Sequence, residues 1–427
     1  MSELICKFIS ALSYLINSLY NDIHILQHGK PKVGIEENMN GKQTDGTGYK
    51  LVHLNNSAAS LPHEMVYQAM RDYMNCEVTM GVTEAKIEMA GVFSNIYTDI
   101  GALVGVPRHR VAIFSSNTEA WQRAFLALNL QPGDLILVGE TEWGGNLSML
   151  QHCCNQCGAR LDIIPSTESG TIDVAAFANM LEENVRMVCV TWAPATSGGI
   201  NPVHEIASIL KGHQAWYFID AAQSFGQVSV DLSNPRFDVV SVSTRKFLRS
   251  PRGVGFGIFS ERFMENVPPL SVDQFSGAWG PEGISILKGA RKYEYVEMSY
   301  AVRMGLAKAV CLGLSTDWPA VQIKITELAT RLQSGLMGIP GLSLQDRCEN
   351  LSGIVCFSND RVKPAAYLEF LANRNINIAA PGYVYAPLWF GAGRPPIARL
   401  SPHSFNTAAE IDLALEAIEE CTTENNN

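Results

Sequence analysis

The chain is 427 residues long, 47% of them apolar, with 32 Lys and Arg against 42 Asp and Glu. These proportions exclude a disordered or fibrous chain, the net charge of −10 gives nucleic acid no electrostatic support, and the length points to more than one domain. Ten cysteines scattered from Cys6 to Cys421 are unlike a dense disulfide scaffold, so a reducing, cytoplasmic setting is expected.

The first candidate element runs from Ile5 to Tyr20, where Ile5, Phe8, Ile9, Leu12, Leu15, Ile16 and Leu19 recur at spacings of three and four. That pattern predicts one face of an amphipathic helix. Glu3 in place of a positive cluster, the lack of a small-residue cleavage site and a run below the ~20 residues of a membrane span argue against a signal peptide or anchor. Lys30 to Gly48 reads as a linker. The expected division is residues 1–48 as helix and linker, 49–280 as a large domain, and 281–427 as a smaller α+β C-terminal domain.

From Lys50 onward, β-branched runs alternate with helical patterns. Val111 to Ser115, Leu135 to Val138, Leu161 to Ile164, Val185 to Val190, Trp216 to Ile219 and Phe237 to Val242 read as buried strands; Glu119 to Leu128, Asn146 to Cys157, Val174 to Glu183 and Val203 to Leu210 read as helices. Such alternation predicts an α/β fold with a mostly parallel central sheet covered by helices. Ligands of such sheets gather at the carboxyl ends of the strands.

The first such end carries Ser116, Asn117, Thr118 and Glu119 at the start of a helix, a place where free N–H groups attract anions. The same residue types also cap ordinary helices. Further on, Cys153, Cys154 and Cys157 beside His152 lack a second ligand pair, so no metal is expected and Cys153 and Cys157 read as one helix face. The strand Trp216 to Ile219 ends on Asp220, with Gln223 shortly after. A later strand is followed by Ser243, Thr244, Arg245 and Lys246, then the Gly-rich Pro251 to Gly255. An Asp and a Lys at strand ends, 246 − 220 = 26 residues apart, suit pyridoxal phosphate, whose chemistry needs a Schiff-base lysine and a carboxylate against the pyridine nitrogen. A buried ion pair is the alternative for these two residues alone.

With these residues in place, the chain resembles the class V aminotransferases, a fold-type-I pyridoxal-phosphate family, over Leu54 to Leu415. In motif it is similar to the branch of hercynylcysteine sulfoxide lyases and isopenicillin-N-epimerase-like proteins. The resemblance implies that Lys246 bears the cofactor and moves the proton at Cα, with its pKa lowered toward the working range. It implies that Ser243 and Arg245 hold the phosphate together with Ser116, Asn117, Thr118 and Glu119. Asp220 then pairs with the ring nitrogen and Gln223 with the ring hydroxyl. Trp143 stands where relatives stack a His on the ring; core packing is the competing reading. Ala195 replaces an Asn of relatives, which leaves its contact to Thr196. Arg399, seven residues before Asn406-Thr407, would clamp a substrate α-carboxylate, with Asn56 as a second substrate contact. A homodimer acting on a small amino acid, without nucleic acid or membrane span, completes what the family implies.

One group of desulfurases carries a nucleophilic Cys where this chain has Gly382 to Leu388, without a thiol; Cys348 and Cys356 lie outside that motif, and Cys356 reads as core. The expectation drawn is a β-eliminating C–S lyase and not a cysteine desulfurase. The alternatives are an aminotransferase, epimerase or decarboxylase, or a non-catalytic binding relative.

Overall fold

Alternation of apolar side chains between two faces organises the centre of the molecule. The computed structural model describes residues 51–232, 236–274, 276–295, 297–345 and 350–426; the expected N-terminal helix and linker, and Cys348, lie outside the described residues. Seven strands form one sheet in the order Val111–Phe114, Gly255–Phe259, Val239–Ser243, Trp216–Asp220, Val185–Thr191, Leu135–Gly139, Arg160–Ile164. Gly255–Phe259 runs antiparallel to both of its neighbours, and the other pairs are parallel. Val111, Ile113, Leu135 and Leu137 point into one core, while Ala112, Phe114, Ile136 and Val138 point into the other. A period of two with both faces apolar is what a sheet covered by helices on both sides requires.

The expected α/β architecture is therefore present, with three local differences. The strand Gly255–Phe259 was not anticipated, because glycine is a poor strand former. Here it is needed: a Cβ at Gly255 would sit 2.7 Å from the Asn117 nitrogen, and one at Gly257 would sit 2.9 Å from the Phe259 ring. The helix expected from Glu119 starts at Asn117, which puts the anion-site residues into its first turn. In the helix Gly144–Cys157 it is Cys154 that is buried, whereas Cys153 and Cys157 are half-buried.

A second sheet is antiparallel, in the order Leu342–Leu344, Val355–Asn359, Ala398–Leu400. With the helices Trp318–Gly338, Pro364–Ala372 and Ala408–Asn426 it encloses its own core, which also takes in Val52 and Leu54. Val52–His53 pairs in parallel with Ile376–Asn377. The helix Tyr300–Leu314 belongs with the first core, packed on the helices Glu64–Met80 and Ala90–Val104. Among the described residues, no helix is long and apolar enough to cross a membrane, and no cluster of His, Cys, Asp or Glu is placed to hold a metal ion.

Candidate active site

Asp220 is the last residue of its strand, level with Thr191 on one side and Ser241 on the other. Its Oδ2 accepts hydrogen bonds from Asn117 Nδ2 at 3.1 Å and Asn146 Nδ2 at 2.9 Å, and its Oδ1 accepts the Ala222 N–H at 2.8 Å. The same Asn146 nitrogen donates to Glu142 Oε1 at 2.7 Å, so one amide bridges two buried carboxylates. Burial, followed by the charge of Asp220, pushes the Glu142 carboxyl up to about 7. Glu142 therefore takes up a proton readily.

Lys246 lies three residues beyond the strand Val239–Ser243 and is 8% exposed. Burial lowers its pKa to about 7, opposed by the attraction of Asp220 and assisted by the positive charges of Arg245 and Arg399. The amine is thus partly unprotonated at neutral pH. His403 steadies the neighbouring backbone: its ring is stacked between Phe247 and Phe405, and its Nε2 lies 3.0 Å from the Phe247 carbonyl oxygen.

At the helix start, Ser116 Oγ accepts the Glu119 N–H at 3.1 Å, and the Glu119 carboxylate accepts the N–H and O–H of Ser115 at 2.8 and 2.6 Å. These two side chains cap the helix. Thr118 lies half-buried in the same turn. Arg245 Nη1 donates to Ser243 Oγ at 3.1 Å, which joins the two residues expected at a phosphate. Burial, with Arg252 nearby, holds the Arg245 pKa below the usual guanidinium range.

On the other side, Arg399 is 6% exposed in the strand Ala398–Leu400, and donates from Nη1 to the Ala195 carbonyl at 3.0 Å and from Nη2 to Asn55 Oδ1 at 3.4 Å. Asn56, expected at the substrate, donates from Nδ2 to the carbonyls of Ser401 at 2.8 Å and His53 at 3.2 Å, and its Oδ1 has no partner among the described residues. Its amide fastens the two chain segments together, and Asn55 is the neighbour that reaches Arg399. Gln223 Nε2 donates to the Ser57 carbonyl at 2.9 Å. Trp143 donates its N–H to Thr191 Oγ1 at 3.3 Å, and its ring stacks on Tyr385, with centroids 5.4 Å apart.

Asn146, Glu142, Asn55 and Tyr385 were not singled out as site residues. A signal was present only for the first two, which stand four apart across a helix start and so share a face; the others arrive through long-range packing. Several buried polar atoms here have no partner among the described residues: Asn117 Oδ1, Thr196 Oγ1, Gln223 Oε1, Arg245 Nε and Arg399 Nε. Buried polar groups are usually matched. A cluster of unmatched donors and acceptors around a lysine, a carboxylate and two guanidinium groups fits pyridoxal phosphate, which brings a phosphate, a ring hydroxyl and a ring nitrogen.

The sheet order and this constellation define a fold-type-I, pyridoxal-phosphate-dependent enzyme, and the chain belongs to the class-V aminotransferase family, whose model matches residues 52–414. It is similar to a probable cysteine desulfurase of Halobacterium salinarum, 26% identical over 87% of this chain and 92% of that one. A cysteine desulfurase of Haloferax volcanii is 24% identical over 95% and 96%. The apo structure of a cysteine desulfurase from Thermococcus onnurineus shares the fold, with a TM-score of 0.80 at 20% identity, covering 88% of this chain and 95% of that one.

These relatives overturn the expectation of a lyase that is not a cysteine desulfurase. The inference from Gly382 to Leu388 gave too much weight to one short loop. A missing thiol there limits where a sulfur acceptor can sit; it does not decide which amino acid the lysine, carboxylate and guanidinium groups receive.

Proposed function

We propose that the chain desulfurates L-cysteine, as the desulfurases similar to it are named for doing: the sulfur passes to an attacking thiolate as a persulfide, L-alanine is released, and a second thiol frees the sulfur as sulfide while being oxidised to a disulfide. The observation that carries this reading is that the buried Lys246 amine lies within reach of the charges of both Asp220 and Arg399. Pyridoxal phosphate, when bound, supplies the electron sink that lets a proton leave Cα. Lys246, with a pKa near the working range, takes and returns that proton. Asp220, positioned by Asn117 and Asn146, would supply the carboxylate for the ring nitrogen. Ser243, Arg245 and the capped helix start at Ser116 to Glu119 bind the phosphate. Trp143 would pack on the ring, Gln223 and Thr196 would offer it their unmatched oxygens, and Arg399 would exchange the Ala195 and Asn55 contacts for the substrate carboxylate.

The same reading takes the protein as a homodimer, supported by exposed Met74, Val78 and Val82 on neighbouring helices and by exposed Trp279 and Ile286 on the hairpin Gly277–Gly280 and Gly283–Ile286. The two cores support a division into a cofactor-binding domain and a C-terminal domain.

The test is to incubate the cofactor-loaded protein with L-cysteine and a thiol reductant, and to measure alanine and sulfide. Equal release of both is expected, with loss of at least about a thousandfold in Lys246→Ala together with its visible cofactor absorbance. Pyruvate and ammonia in place of alanine would overturn the proposal.

A further inference from the structure

The loop that lacks a thiol is firmly docked. Tyr383–Tyr385 forms a single 3-10 turn, closed by the Tyr385 N–H to the Gly382 carbonyl at 3.1 Å and the Ala386 N–H to the Tyr383 carbonyl at 3.2 Å. The turn rests on the start of the helix Gly144–Cys157, where the Val384 carbonyl occupies the place a side chain at Gly144 would need. At Gly145 a Cβ would come within 2.7 Å of the Trp143 indole nitrogen. The Trp143-Gly144-Gly145 sequence is therefore a seat: the two glycines admit the turn and the indole, and the indole stacks on Tyr385 at 29° between planes.

This stack joins the other groups of the pocket. The Trp143 backbone is bonded to Thr191, which is level with Asp220. Tyr385, 43% exposed, also lies within electrostatic reach of Arg399. Tyr385 thus lies against the residue expected over the cofactor ring, on the side of the site that carries Arg399.

Resting on the reading above, we propose that Tyr385 is a specificity-determining residue whose ring, fixed by Trp143, restricts the substrate to L-amino acids with a short, polarisable side chain. A thiol packs well against the edge of an aromatic ring. A long side chain would have to break the stack of Tyr385 on Trp143.

The experiment compares wild type, Tyr385→Phe, Tyr385→Ala and Gly144→Ala, each loaded with cofactor and checked for its visible absorbance. Steady-state constants are measured for L-cysteine and S-benzyl-L-cysteine, and spectral titrations with L-alanine, L-aspartate and the S-benzyl compound report binding without turnover. Tyr385→Ala is expected to raise KM for L-cysteine about tenfold with a much smaller change in kcat, and to shrink the preference for small over large ligands by a similar factor. Tyr385→Phe, which keeps the ring, is expected to retain that preference. Gly144→Ala, which dislodges the turn while leaving Tyr385 in the sequence, is expected to lose it.

The proposal fails if Tyr385→Ala holds KM and ligand preference within twofold of wild type, or if Tyr385→Phe loses as much preference as Tyr385→Ala. A wild type that binds these ligands but releases no alanine defeats the reaction proposed above; the titrated preferences still decide the role of Tyr385.

Discussion

Two buried polar clusters lie at different places in this molecule and are finished to different degrees. Around Glu294, Oε1 accepts the Ile113 N–H at 2.7 Å and Oε2 accepts the Tyr97 hydroxyl at 2.9 Å. Arg303 donates to that hydroxyl at 2.7 Å and stands 3.7 Å from Glu294 Oε2. Only Arg303 Nε is unmatched in this group. Around Asp220 and Lys246, seven side chains keep buried atoms without partners among the described residues: Asn117, Glu142, Asn146, Thr196, Gln223, Arg245 and Arg399. The first cluster ties a strand to two helices. The second holds its donors and acceptors ready for a molecule that arrives, and this difference separates a structural network from a binding site more sharply than burial or charge, which the two share.

The comparison is broken most severely at its structural member. Glu294→Ala leaves Arg303 buried without its carboxylate and the Ile113 N–H without an acceptor, so a loss of roughly 3–5 kcal/mol is expected in denaturant unfolding. A loss below about 1 kcal/mol would show that the network is not what holds these elements.

A second experiment sharpens the comparison through protons. Between the ordinary value of 4.5 and about 7, folded Glu142 keeps a proton that the unfolded chain has released, so its contribution to stability is present in acid and is lost as pH rises through that window. In the cofactor-free protein the full change is roughly 3 kcal/mol. Glu142→Gln should flatten that slope. An unchanged slope in unfolding measured from pH 4.5 to 7 would assign it to other groups.

The smallest effect is expected from Lys246→Met. The amine is buried and its charged form disfavoured, so an apolar side chain of similar length should stabilise the cofactor-free protein by about 1 kcal/mol or more. A substitution that abolishes function yet raises stability is the mark of a site, and a destabilised variant would place Lys246 with the structural residues.

The strands that alternate with helices were legible because their β-branched runs and turn signals act locally. The glycine-bearing strand Gly255–Phe259 was not, since its glycines answer to Asn117 and Phe259 in space and not to their neighbours in sequence. Lys246, Asp220 and Arg399 could be read because each stands in a distinctive local motif. Asn55 could not be told from Asn56, because the choice depends on which amide faces Arg399 across the second sheet. Tyr385 was passed over for the thiol it replaces, and its meaning appears only beside Trp143.

The antiparallel strand has a consequence for the order in which the chain can be assembled. Among the described residues, Val111–Phe114 pairs in the sheet with Gly255–Phe259 alone, and Phe114 meets Gly255 at a separation of 255 − 114 = 141 positions along the chain. Val52 meets Ile376 at a separation of 376 − 52 = 324. Contacts of such long range come at a high loop-closure cost and form late. A nascent chain that ends before residue 255 therefore has the strand leading into Ser116 without its partner, and a chain that ends before residue 376 leaves its first strand unpaired. Pyridoxal phosphate meets a receptive surface only after most of the polypeptide has been made, so cofactor capture belongs to the last stages of folding.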